Sequence, residues 1–151
     1  MQTFLPSADF SESMRCLDPK RLGNQIYREG MTLLRGGWPN HPASKIWRDY
    51  PDALVNYLLC GVKELRWRGH NYTDRPWCIE LQDRWDNRED DEIKYPPWLG
   101  DQALHASHRG VLLYKDTEWY SQFGWKETPR APLPNGKQNY VWPEITKEAI
   151  A

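Results

Sequence analysis

Glu29 is the side chain whose type and setting most directly suggest chemistry. Leu22, Ile26, Glu29 and Leu33 follow i, i+4, i+7, i+11 spacing, so a regular α-helix puts all four on one face. An ionised carboxylate in an apolar stripe costs on the order of several kcal/mol unless it is paired or serves a reaction. Arg28 is its neighbour in sequence but points about 100° away around the helix. A structural Arg28–Glu29 ion pair is one account of the Tyr27-Arg28-Glu29-Gly30 run, and a catalytic acid is the other.

The first amine of the chain is a second candidate. An α-amino group has a pKa of about 7.7–8.0, against about 10.4 for lysine, so roughly a third of it is neutral at pH 7.5. Without tuning, the Met1 nitrogen is the best amine nucleophile in the sequence. Gln2 is large, and methionine removal favours a small second residue, so Met1 is expected to stay.

Three further clusters carry polar or aromatic chemistry. His105, Ser107, His108 and Arg109 open a helix, with His105 and Arg109 on one face. Phosphate contact, a metal site lacking a third ligand, and plain polar packing are all open to them. Asn40-His41-Pro42 with Lys45, Trp47 and Arg48 reads as a basic aromatic edge for a nucleic-acid backbone, or as a solvated helix start. Trp119-Tyr120 and Phe123-Gly124-Trp125-Lys126 suit base stacking or groove insertion, or a core-packing helix.

Helices must position these groups. Asp18-Pro19 and Gly36-Gly37 bracket a helix over about 19–35. Ser11 to Leu17 reads as a short helix before it, and Ile46 and Trp47 mark another after Pro42. Pro51 opens a helix closed by Gly69, with the stripe Leu54, Val55, Leu58, Val62 and Leu65. Helical segments are also expected over 77–85, 100–114 and 116–123, with an acidic, solvated stretch at 87–95. No strand alternation and no repeat is visible. The expected fold is all-α, a single compact domain over 1–127, followed by a Pro-rich extended tail over 128–151.

The chain has 151 residues, a length that suits one domain. Apolar content is 39% but aromatics reach 13%, with nine Trp, so large rings must supply much of the buried area. A net charge of −1 argues against gripping nucleic acid by bulk charge. The distribution is uneven. Seven basic residues from Arg15 to Arg48 face only Asp18 and Glu29, whereas 83–92 holds six acids against Arg84 and Arg88. Three widely spaced cysteines (Cys16, Cys60, Cys78) fit a reducing compartment. No membrane span or signal peptide is expected.

Taken in order, these motifs resemble the pyrimidine-dimer DNA glycosylase (endonuclease V-like) family. Tyr27-Arg28-Glu29 matches a Tyr-Arg-Glu run on that family's first long helix. The charged helix end from Leu65 through Arg68-Gly69-His70-Asn71 and the Trp119-Tyr120-Ser121-Gln122-Phe123-Gly124 run are similar to later family motifs. The Asn40-His41-Pro42 and His105-Ala106-Ser107-His108-Arg109 runs look like those of prokaryotic relatives. The resemblance covers most of Met1 to Lys126.

The resemblance implies a glycosylase with lyase activity that kinks DNA and flips a nucleotide. Met1 would supply the attacking amine, Glu29 the essential acid, and Arg28 a phosphate contact. Gln2, Arg21, Gln25, His41, Lys45, Arg48, His105, His108, Arg109, Trp119 and Tyr120 would contact substrate or DNA. No metal and no cofactor is implied. The implied partner is double-stranded DNA with a damaged or modified base, met by a monomer in the cytoplasm of a prokaryotic or phage-infected cell. Gln2 stands where the founding phage enzyme has arginine, and this chain lacks that enzyme's strong positive charge. The substrate is therefore open between a pyrimidine dimer, another modified base and an abasic site. A non-catalytic nucleotide-, nucleic-acid- or protein-binding module on the same scaffold is the alternative.

Overall fold

A computed structural model describes residues 2–144; Met1, the expected nucleophile, and the last seven residues of the tail lie outside the described residues. Among them the fold is helical, with no strand. The helices are α1 (Phe10–Cys16), α2 (Pro19–Asn24), α3 (Met31–Leu34), α4 (Pro42–Trp47), α5 (Pro51–Trp67), α6 (Pro76–Asp86), α7 (Gln102–Lys115) and α8 (Thr117–Tyr120). A π turn, Gln25–Gly30, joins α2 to α3, and a 3₁₀ turn, Ser121–Phe123, follows α8.

Local sequence explains these elements. Asp9 caps α1 by accepting from the Glu12 N–H, and Asp101 caps α7 by accepting from that of Ala103. Pro51 and Asp52 start α5, while Arg66 complements the dipole in its last turn. The α5 stripe is buried as expected, with Tyr57 and Gly61 added to it. Around it, Met14, Leu17, Leu22, Ile26, Met31, Leu81, Leu112 and Tyr120 are fully enclosed. Each such apolar side chain contributes on the order of 1.5–3 kcal/mol. No helix among the described residues is long and apolar enough to cross a membrane.

The helix over 19–34 is one rod of three pieces, because Asn24, Gln25, Gly30 and Met31 all keep right-handed helical angles. Its middle is wide. The Met31 N–H donates to the Ile26 carbonyl, five residues back, which is a π-helical bond. The rod lies hard against α5. A Cβ at Gly30 would meet Leu58 Cδ2 at 2.1 Å and the Gln25 carbonyl oxygen at 2.8 Å; one at Gly61 would meet Ile26 Cδ1 at 2.6 Å. Glycine at both positions lets the wide turn dock on α5.

Residues 128–144 form neither helix nor strand. They run over α7 and the chain start. The Arg130 N–H donates to the Gly110 carbonyl, and the Val141 N–H to Ser107 Oγ. Tyr140 packs edge-on against Phe4 and His108.

Candidate active site

The wide turn decides where Glu29 points. A regular helix would set it between Ile26 and Leu33 on the core face. The extra residue in the π turn gives that place to Gly30, so the buried series reads Leu22, Ile26, Gly30, Leu33. Glu29 is half-buried, at the edge of the core rather than inside its stripe, which corrects the sequence expectation. The structural ion pair is absent too: among the described residues, neither Arg28 nor Glu29 belongs to an ion pair. Glu29 Oε2 is enclosed and has no hydrogen-bond partner among them. Leaving a carboxylate oxygen so is costly, and such exceptions gather where a side chain reacts.

Glu29 lines an open cleft of about 650 Å³ with Asn24, Tyr27, Arg28, Thr32, Arg35, Trp38 and His41. Two of these carry exposed rings, Tyr27 (57%) and Trp38 (62%). A second groove of about 490 Å³ adjoins it; Asn24, Tyr27 and Arg28 belong to both and form the ridge between them. Trp77 meets Tyr27 edge-on across that groove at 5.6 Å, and the Arg75 guanidinium lies 5.9 Å from the Tyr72 ring centre. Arg35 is bonded to Glu80, which also pairs with Arg84, whereas Arg28 is exposed and belongs to no ion pair among the described residues. His41 accepts the Ala43 N–H at Nδ1, which leaves its proton on Nε2; partial burial lowers its pKa.

The chain start is held by side chains from four helical segments. Gln25 donates from Nε2 to the Gln2 carbonyl (2.7 Å) and accepts at Oε1 from the Phe4 N–H (2.6 Å) and the Tyr57 hydroxyl (3.1 Å). Tyr57 also reaches the Phe4 carbonyl, and Trp47 Nε1 donates to Thr3 Oγ1. On α7, His108 Nδ1 accepts the Leu5 N–H, His105 Nδ1 bonds the Leu5 carbonyl, and Arg109 Nη1 donates to the Pro6 carbonyl. His105 Nε2 accepts the Gly100 N–H, so Nδ1 carries its proton. Both nitrogens of that ring are used, which leaves none for a metal.

Several expected contacts are therefore corrected. Gln2, Gln25, His105, His108 and Tyr120 are each at most 3% exposed and offer no face to DNA. The polar atoms of Gln25, His105, His108 and Tyr120 are turned inward to anchor backbone, and Gln2 Oε1 accepts the Thr3 N–H. Tyr120 donates to Asp18 Oδ1 (2.5 Å) and accepts the Asp18 N–H, which fixes the start of the rod; Trp119 Nε1 holds the Cys16 carbonyl. Arg21 is paired with Asp18, and Arg109 with Glu127. Lys45 and Arg48 are exposed on and after α4, with Arg48 bonded to the Pro39 carbonyl. Of the expected residues, the structure gathers Arg28, Glu29 and His41 in one cleft. It adds Asn24, Tyr27, Thr32, Arg35 and Trp38, of which only Tyr27 carried a sequence signal, through the Tyr27-Arg28-Glu29 run.

The buried histidines make stability depend on pH. Burial, then the nearby His105 and Arg109 charges, depresses His108 to about 3, and burial lowers His105 as well. An unfolded histidine titrates near 6.5. Between those values the unfolded chain binds a proton that the folded chain does not. Stability is thus fully present above about pH 6.5 and is lost as pH falls toward 3, by up to about 1.4 kcal/mol per pH unit for His108. The urea midpoint is expected to drop on acidification from pH 7 to 4.5. In NMR titrations the His108 imidazole should stay neutral from pH 7.5 to 5, and His105 should titrate below the range of an exposed histidine.

The cleft thus combines exposed rings, an arginine and a carboxylate whose Oε2 has no hydrogen-bond partner among the described residues. In general, exposed rings can stack on bases, an arginine can meet a phosphate, and a carboxylate can move protons. The chain belongs to the pyrimidine dimer DNA glycosylase family, whose model matches residues 1–77. That span contains the anchored start, the π turn and every residue of both clefts. No curated protein and no solved structure matches the chain.

Proposed function

We propose that the protein is a DNA glycosylase with abasic-site lyase activity, working through its N-terminal amine and Glu29. The Gln25 side chain carries this reading. It lies in the same π turn as Glu29 and grips the Gln2 carbonyl at 2.7 Å. The Cα of Met1 is one peptide, about 3.8 Å, from that of Gln2. The helix that presents the carboxylate thus also fixes the residue next to Met1, which supports a reaction that needs amine and carboxylate to converge.

The chemistry follows in order. A flipped nucleotide enters the cleft, where Tyr27 offers a ring face and Arg28 a phosphate contact. The neutral amine forms a bond to C1′ as the C1′–N glycosidic bond breaks, and the base leaves with that electron pair and a proton. The sugar ring opens to an imine, the former amine losing its protons. Glu29 stabilises the cationic stage and shuttles protons. Loss of a C2′ proton then expels the 3′ phosphate by β-elimination and nicks the strand.

Duplexes carrying either ultraviolet photoproducts or one abasic site test this reading. Nicking of both is expected, each with a β-elimination end, and the photoproduct duplex also releasing the damaged base. Nicking of the abasic duplex alone narrows the activity to a lyase. Binding without nicking of either contradicts the enzyme and leaves a binding module.

A further inference from the structure

Between α3 and α4 the chain turns through Gly36, Gly37, Trp38, Pro39 and Asn40. Trp38 has φ +53°, the one non-glycine residue with positive φ among the described residues. That region is unfavourable for a bulky side chain, and such strain persists only where surrounding structure imposes it. Here the imposition is visible. The Gly36 N–H donates to the Leu33 carbonyl (3.1 Å), that of Gly37 to the Thr32 carbonyl (2.8 Å) and that of His41 to the Trp38 carbonyl (3.0 Å). Ser44 Oγ donates to the Gly37 carbonyl and Arg48 Nη2 to the Pro39 carbonyl. This rigid loop does not bury its large ring; it holds the indole 62% exposed on the lining of the Glu29 cleft.

Folding gains little from an exposed indole on a strained backbone, so the arrangement is explained by what the ring meets in a complex. Extruding a nucleotide leaves a gap in the duplex and an unstacked base pair beside it. Proteins that kink and unstack a duplex frequently insert an apolar side chain between base steps. We propose that Trp38 is the wedge of this protein: it enters the duplex beside the nucleotide drawn toward Glu29 and stacks on the base pair exposed there. The proposal rests on the reading that a flipped nucleotide occupies the cleft. It assigns Arg48, expected from sequence to touch DNA, to bracing the loop instead.

The test uses binding alone. Fluorescence anisotropy compares the full-length protein, Trp38→Ala, Trp38→Phe and Trp38→Gly on a duplex with an uncleavable tetrahydrofuran abasic analogue and on the intact duplex of the same sequence. The wild type is expected to prefer the analogue. Trp38→Ala should lose about 10-fold or more on the analogue and less than about 2-fold on the intact duplex, the loss typical of one stacking ring. Trp38→Phe should recover most of the loss. Trp38→Gly should bind the analogue as weakly as Trp38→Ala yet melt at or above the wild-type temperature, because glycine relieves the strain. Equal losses on both duplexes, or no loss, with the wild-type preference intact, overturn the wedge alone. A wild type without preference for the analogue overturns the flipped-nucleotide reading and the wedge with it. Melting of Trp38→Gly well below wild type makes the ring structural and also overturns the proposal.

Discussion

Glu29→Gln is expected to lower base excision and strand nicking by at least about 10²-fold without lowering the melting temperature. Glutamine has nearly the same shape and can still fill the edge of the core, but it cannot carry charge or take a proton. General acid–base and electrostatic roles of one positioned side chain are worth about 10²–10⁴-fold, which sets the scale. The stability half of the expectation comes from Oε2, which is enclosed without a partner among the described residues. Removing a charge that is poorly satisfied relieves desolvation cost instead of breaking a bond. Single-turnover cleavage of an abasic duplex and thermal melting of the same preparation check both halves. A variant that keeps wild-type cleavage, or one that unfolds several degrees early, makes Glu29 a structural residue.

Gln25→Leu is expected to be the costliest change for the fold and to remove activity with it. The amide closes three buried bonds, to the Gln2 carbonyl, the Phe4 N–H and the Tyr57 hydroxyl. Leucine matches its bulk but strands the Gln2 carbonyl and the Phe4 N–H, while the Tyr57 hydroxyl keeps the Phe4 carbonyl. At about 1–3 kcal/mol for each of the two unsatisfied groups, the loss is about 2 kcal/mol or more. Released from Gln25, the chain start also loses its tie to the π turn, and misplacement by about 1 Å can cost about 10²-fold in rate. Urea unfolding measures the first effect. Cleavage at a temperature where the variant is still folded measures the second. Tyr57→Phe, which removes one hydroxyl from the same network, should cost less on both counts.

The order of helices is legible because its signals are local. Asp9, Asp101, Pro51 and the α5 stripe each act within a few residues, and the structure follows them. The setting of Glu29 is not legible at that level. A 3.6-residue period assigns it to the core face, whereas one five-residue hydrogen bond from Met31 to Ile26 gives that place to Gly30. The widening is stabilised by contacts with α5, far away in sequence, at Leu58 and Gly61. Residue type misled elsewhere. His105, His108, Gln25 and Tyr120 carry groups suited to phosphate or base recognition, but those groups are spent on Leu5, Gln2, Phe4 and Asp18. Trp38 hid in a Gly-Gly helix stop, where only backbone geometry marks it.

The most direct measurement is borohydride trapping on an abasic duplex, followed by mass spectrometry of the digested adduct. Reduction fixes an imine between enzyme and sugar as a stable amine wherever that imine forms. The expected result is one covalent DNA adduct on the peptide that begins at Met1, on its α-nitrogen, and its disappearance when that amine is acetylated. No adduct on abasic or ultraviolet-irradiated duplex, or an adduct on an internal lysine, would contradict a reaction run by the N-terminal amine with Glu29.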